Sequence, residues 1–319
     1  MKTNYKMLWI DDNFKTLRGD KRKFENYFKK HGITFEPIEI EQNPDEKVVE
    51  NERFLNAVND IELDVVLIDF NMSGETGADI INHIRKNMHH YHIPILFYSG
   101  DGPQKIQEII FKANATDKFN ISDGIYFCDR EDIFRKTQSI LDSLIKKEEQ
   151  PQRVRGLLMD RVSEIDAQIL KVLNSDILEQ LTEEQANKIK QKFVLDKIKK
   201  KENNNHSLLE NLVHNSLKEV IQYIINNPCL FDSHLRAELL RNIYKIVDKE
   251  KGEILSSFYN DIGQEEKCLS KLRNDYAHQT EKEIGDSHTP TRCKYIREET
   301  QKHLRNLSEE QFIQTNIQS

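Results

Sequence analysis

The chain has 319 residues, 37% of them apolar and 32% charged, with a formal net charge of -7. At about 150 residues per domain this length predicts two domains, each able to bury a core. The composition excludes a wholly disordered chain, and no run approaches the roughly 20 apolar residues of a membrane span.

The N-terminus, Met1-Lys2-Thr3-Asn4-Tyr5, lacks a signal-peptide pattern. Cys128, Cys229, Cys268 and Cys293 are scattered, with no CxxC pair. That argues against a disulfide framework or a structural zinc site and predicts a cytoplasmic location. An acidic balance disfavours a surface coated for nucleic acid but leaves room for a local RNA-contacting cleft.

The first part of the chain alternates strand and helix patterns. Met7 to Ile10 is an apolar run ending in Asp11-Asp12, and Phe14 to Lys30 has helical spacing stopped by His31-Gly32. Ile33 to Ile40 reads as a strand, Phe54 to Ile61 as a helix, and Val65 to Ile68 as a buried strand ending at Asp69. A helix over Ala78–Asn87, a strand over Ile93–Tyr98 and a helix over Lys105–Ala113 follow. Gly124 to Cys128 is the fifth strand and Asp132 to Lys146 the closing helix. Five apolar strands separated by helices predict an α/β doubly wound five-stranded parallel sheet over residues 1–148.

After a linker at 149–152 the pattern becomes all-α. Helices are predicted at Arg153–Leu173, Ile177–Lys201, Ser207–Ile225, Ser233–Asp248, Glu253–Tyr276 and Arg292–Leu307. This helical bundle spans 153–310, and a polar tail occupies 311–319.

In a doubly wound sheet the carboxyl ends of the strands converge. Asp11 and Asp12 follow the first strand, Asp69 the third and Ser99 the fourth. Three crowded carboxylates repel one another and favour a hard divalent cation with oxygen ligands, most simply Mg²⁺. An Asp beside such a cation is able to attack a phosphoryl group.

Leu8 to Asp12, Leu67 to Gly77 and Ile93 to Gly100 together resemble the receiver domain of two-component response regulators. The resemblance implies phosphorylation of Asp69 by a histidine kinase or phosphotransfer protein. It also implies Mg²⁺ held by Asp11, Asp12 and Asp69 with the Met72 carbonyl, and a relay through Ser99 and Tyr126. The family has a lysine three residues after the aromatic switch position, where this chain has Asp129, so Arg130 is the candidate counter-ion.

A second constellation, Arg273-Asn274-Asp275-Tyr276-Ala277-His278, ends the predicted helix over Glu253–Tyr276. Five residues turn a continuous helix by about 500°, which sets Arg273 and His278 about 140° apart. Either the helix changes course near His278 or two chains pool their residues across a two-fold interface. Histidine serves as acid or base near neutral pH, and arginine presents a fork of donors to phosphate oxygens.

Arg-Asn-x-x-x-His in an all-helical setting resembles the HEPN family, which includes metal-independent endoribonucleases. The resemblance implies a homodimer, an RNA substrate, no cofactor at this site, and catalysis by Arg273, Asn274 and His278. His278-Gln279-Thr280 lacks the tyrosine of the His-x-Tyr variant, which is modified by a nucleotidyltransferase partner. On the residues alone, Arg273 and His278 also suit a helix C-terminus, where the dipole favours cations.

His89-His90-Tyr91-His92 reads as a solvated loop, and the lysines between Lys188 and Lys201 as the wet side of a helix or an RNA-steering run. The two resemblances together imply a response regulator with an endoribonuclease effector, a defence or stress toxin gated by its receiver. The alternative is a non-catalytic signalling adaptor with a pseudo-receiver.

Overall fold

The computed structural model describes residues 1–43, 45–72, 77–86, 93–100, 102, 104–108, 124–191, 214–227, 231–261 and 267–308. The chain divides into two units, Met1–Gln150 and Pro151–Ser319.

The first unit is a five-stranded, all-parallel sheet. Its strands are β1 (Asn4–Asp11), β2 (Thr34–Glu41), β3 (Leu63–Asp69), β4 (Ile95–Ser99) and β5 (Ile125–Asp129). They lie in the order β2-β1-β3-β4-β5. β1, β3 and β4 read as near-continuous apolar runs because both of their faces are covered. Met7, Trp9, Val65, Leu67, Leu96 and Tyr98 enter one core cluster. Leu8, Ile10, Val66, Ile68, Ile95 and Phe97 enter the other.

The Trp9 cluster includes residues of α1 (Arg18–Lys30), and the opposite cluster residues of α2 (Glu52–Asn59) and α3 (Gly77–Lys86). The closing helix α4 (Ile133–Glu148) adds Ile133, Ile140, Leu141 and Ile145 to the Trp9 cluster. A short 3-10 turn, Phe14–Leu17, precedes α1, so the helix begins at Arg18 rather than at the expected Phe14. Strand order reverses between β1 and β3, which makes their carboxyl ends the switch point where such folds place their sites.

The second unit is helical. α5 (Pro151–Leu173) buries Val154, Leu158, Ile165 and Ile169, and begins two residues before the expected Arg153. It packs against α8 (Ser233–Val247), α10 (Leu269–His278) and α12 (Pro290–Leu307). α6 (Glu183–Ile189), α7 (Leu217–Asn226), α9 (Lys249–Ser256) and α11 (Glu281–Ile284) complete the described helices.

Three of the long helices expected from periodicity are interrupted. Where one helix was expected from Ile177, a 3-10 turn at Asp176–Gln180 gives way to a capping box in which Thr182 and Gln185 start α6. Ser216 and Glu219 form another such box and start α7 ten residues after Ser207. The helix expected over Glu253–Tyr276 is two helices, α9 and α10. In the first two cases the apolar period continues across the break, while a local cap supplies backbone bonds that the longer helix would have made.

Among the described residues no helix is long and apolar enough to cross a membrane.

Candidate functional site

Asp11 ends β1 and Asp69 ends β3, and both are buried, whereas Asp12 is exposed. One carboxylate oxygen from each of the three lies within 4.8 Å of the others. Three convergent oxygen donors, two of them withdrawn from solvent, fit a hard divalent cation.

Arg130, the residue immediately after β5, reaches into this cluster. Its Nη1 donates to Asp69 Oδ2 at 2.5 Å, and its Nη2 lies 3.3 and 3.2 Å from the two oxygens of Asp11. The same Nη2 donates to the Thr16 hydroxyl at 3.1 Å. Asp129, the residue in the register of the family lysine, is exposed and pairs with Ser99 across the β4–β5 ladder.

Backbone donors fix the remaining oxygens. Asn13 N–H donates to Asp11 Oδ1 at 2.7 Å, and Asn71 N–H to Asp69 Oδ1 at 3.0 Å. Burial pushes the Asp69 carboxyl above its ordinary range, and the Asp11 charge adds to that; the Asn71 N–H and Arg130 pull the other way. Burial lowers the charged form of Arg130, but Asp11 and Asp69 outweigh it and raise the guanidinium further.

The site also holds residues that the sequence patterns did not single out. Tyr98 donates its hydroxyl to Asp11 Oδ2 at 2.6 Å and accepts from the Trp9 indole N–H at 2.8 Å. Burial, then the Asp11 charge, drives the Tyr98 phenol well above its ordinary value, so it stays a donor. Asn71 Nδ2 donates to the Ser99 hydroxyl at 2.8 Å, tying the end of β4 to the loop after Asp69. The only sequence signal for Tyr98 is parity: β3–β4 register sets it beside Asp69.

Ser99 is fully buried and stands close to this network. Tyr126 is not brought to it: Tyr126 pairs with Leu96, is 36% exposed, and has the Lys136 ammonium 6.0 Å from its ring centroid. Met72 places its side chain in the core cluster of α2 and α3. Ser73 to Thr76, the histidines of residues 89–92, and Cys229 lie outside the described residues.

In the helical unit α10 runs unbroken from Leu269 through His278. The helix therefore keeps its course, and one chain does not aim Arg273 and His278 at a single atom. Arg273, Asn274 and His278 are all exposed, and Arg273 Nη1 donates to Asn274 Oδ1 at 3.1 Å. Arg155, from α5, bonds the carbonyls of Tyr276 and of Gln279, the latter at 2.8 Å, and so supplies the cation at the α10 C-terminus. His278 is not required as that cap.

Of the lysine run, Lys190 donates to the Asn215 carbonyl at 2.9 Å, Lys188 is exposed, and residues 192–201 lie outside the described residues.

Its strand order and acidic strand ends give the first unit a receiver-like α/β fold. No family model matches the chain, and no curated protein matches it. Among solved structures, a response regulator from Desulfuromonas acetoxidans is similar at 15% identity, covering 44% of this chain and 97% of that one, with a TM-score of 0.32. The Mn(2+)-bound form of response regulator Rcp1 is similar at 17% identity, covering 43% and 91%, with a TM-score of 0.30. An adenylate cyclase from Rhodopirellula baltica is similar at 18% identity, covering 45% and 88%, with a TM-score of 0.31.

Proposed function

We propose that the chain is a response regulator whose receiver-like unit takes a phosphoryl group on Asp69 and whose helical unit is a HEPN-type endoribonuclease under its control. The convergence of Asp11, Asp12 and Asp69 oxygens within 4.8 Å carries the first half of this reading. In the transfer, a carboxylate oxygen of Asp69 forms the new O–P bond as the P–N bond of a donor phosphohistidine breaks, and the imidazole leaves with a proton. Asp11, Asp12 and Asp69, with the Met72 carbonyl that the resemblance implies, would hold a divalent cation, which would offset charge on the phosphoryl oxygens. Arg130 is the side-chain cation that these carboxylates already hold, and Ser99, bonded by Asn71, is the hydroxyl placed to follow the new charge.

The second half rests on Arg273, Asn274 and His278, which are exposed and free of the capping duty that Arg155 performs. Two copies of α10 meeting across a two-fold axis pool these residues in one cleft. There His278 of one copy takes the proton of a ribose 2′-hydroxyl, whose oxygen bonds the phosphorus as the P–O5′ bond breaks; Arg273 holds the phosphate oxygens, Asn274 orients the group, and the partner's His278 gives a proton to the leaving 5′ oxygen.

One observation favours the adaptor reading: Arg130 already satisfies Asp69 and Asp11 without any phosphoryl group. Intact-mass measurement after incubation with acetyl phosphate and Mg²⁺ separates the two. Incorporation by wild type that is lost in Asp69→Asn supports the regulator. No incorporation by wild type supports a pseudo-receiver.

A further inference from the structure

We propose that Arg130 is the resident occupant of the acidic site, so that a divalent cation binds by exchange with an internal guanidinium rather than by filling an open cluster. The inference rests on reading Asp11, Asp12 and Asp69 as a cation site and concerns how that site is controlled.

The hydrogen bonds leave no oxygen of the two buried carboxylates idle. Asp11 Oδ1 accepts from Asn13 N–H and Arg130, and Asp11 Oδ2 from Tyr98 and Arg130. Asp69 Oδ1 accepts from Asn71 N–H, and Asp69 Oδ2 from Arg130 at 2.5 Å. Arg130 thus faces both carboxylates at once, one nitrogen of its planar fork on each. The oxygens that a cation would use to bridge Asp11 and Asp69 are the ones the fork holds. Both cannot be held at full strength.

The surroundings give the displaced side chain somewhere to go. Arg130 is 32% exposed, and it borders an open cleft of about 670 Å³ whose walls include Asp20, Asp129, Glu131 and Asp132. Asp20 and Asp132 are already held by Lys23 and Arg135, so Asp129 and Glu131 are the groups that receive a guanidinium that swings out, and its charge leaves the Asp pair without losing all carboxylate partners. Arg130 also opens the short turn Arg130–Asp132 that leads into α4. Tyr98 stays on Asp11 Oδ2 in either arrangement and holds that carboxylate in place while its partner changes.

The test is calorimetric titration of the full chain with MnCl₂, run beside the emission of Trp9, the single tryptophan, which reaches Asp11 through Tyr98. Arg130→Gln removes a positive charge from two ligands at a partly exposed site, and the expected effect is Mn²⁺ binding on the order of tenfold tighter than wild type. Arg130→Lys, which keeps the charge but gives up the two-nitrogen fork for a single nitrogen, is expected to fall between the two. It decides the matter if the Gln variant fails to fold. Binding in these variants equal to or weaker than wild type overturns the exchange while leaving the cation site intact. Absence of Mn²⁺ binding in wild type and variants alike overturns both.

Discussion

Arg130 Nη1 and Asp69 Oδ2 stand 2.5 Å apart, so the cation of the acidic site comes from one residue beyond the position where the receiver pattern has its lysine. A guanidinium is longer than an ammonium, and its reach makes up the displaced register. Asp129, which holds the lysine's position, turns to solvent.

The chain Trp9–Tyr98–Asp11 makes a stability prediction. In Tyr98→Phe the buried indole N–H loses its acceptor and Asp11 Oδ2 loses a donor. Leaving a buried donor unsatisfied costs about 1–3 kcal/mol. Urea denaturation should show a loss of that size. Tyr126→Phe, at an exposed residue, should change stability by no more than about 0.5 kcal/mol. Equal effects at the two positions would remove the network from the account.

Gly77, the first residue of α3, tests how tightly the opposite face is packed. A Cβ built there meets Phe97 Cε1 at 2.7 Å and Phe70 Cδ2 at 3.1 Å. Phe97 is fully buried on β4 and has little room to give way. Gly77→Ala is therefore expected to destabilise by about 1–3 kcal/mol, the range for overpacked cores, although alanine is the better helix former. An unchanged or raised midpoint of thermal unfolding would contradict this packing.

His303 supplies a pH dependence in the helical unit. Burial lowers its pKa below the ordinary 6.5, against the raising effect of the Glu299 carboxylate. Glu299 is itself pushed up by burial, but hydrogen bonds from His303 and Lys302 bring it down to about 2. As pH falls below 6.5 the unfolded chain takes up a proton at this histidine before the folded chain does. The unfolded state then binds more protons, so stability falls with falling pH and is regained as pH rises. His303→Gln should flatten the difference between urea midpoints measured at about pH 7.5 and about pH 5.5. An unchanged difference would show that this group does not set the slope.

Much of the first unit was legible because its strands carry their own signature. Met7 to Ile10, Val65 to Ile68 and Ile95 to Tyr98 are covered on both faces, so their composition alone marks them. Asp11 and Asp69 were legible for the same reason, as carboxylates where such runs stop. Tyr98 was not, because an aromatic inside an apolar run reads as core, and only its register against Asp69 gives its hydroxyl a role. In the second unit the apolar period ran through Leu181 and Ser216, so the breaks were set by the capping boxes of Thr182 and Ser216, a local bond that periodicity does not encode. The Arg273–His278 spacing was legible as a geometric problem, and the unbroken course of α10 removes one of its two solutions within a single chain.

The most direct test of the regulator–ribonuclease account is cleavage of total RNA and a tRNA pool by wild type and His278→Ala. Each protein is assayed as purified and after treatment with acetyl phosphate and Mg²⁺, with excess EDTA added before the RNA. The account predicts cleavage by wild type in one of the two states, leaving 2′,3′-cyclic phosphate ends, and none by His278→Ala in either. Cleavage by both proteins alike, or by neither in both states, would contradict it.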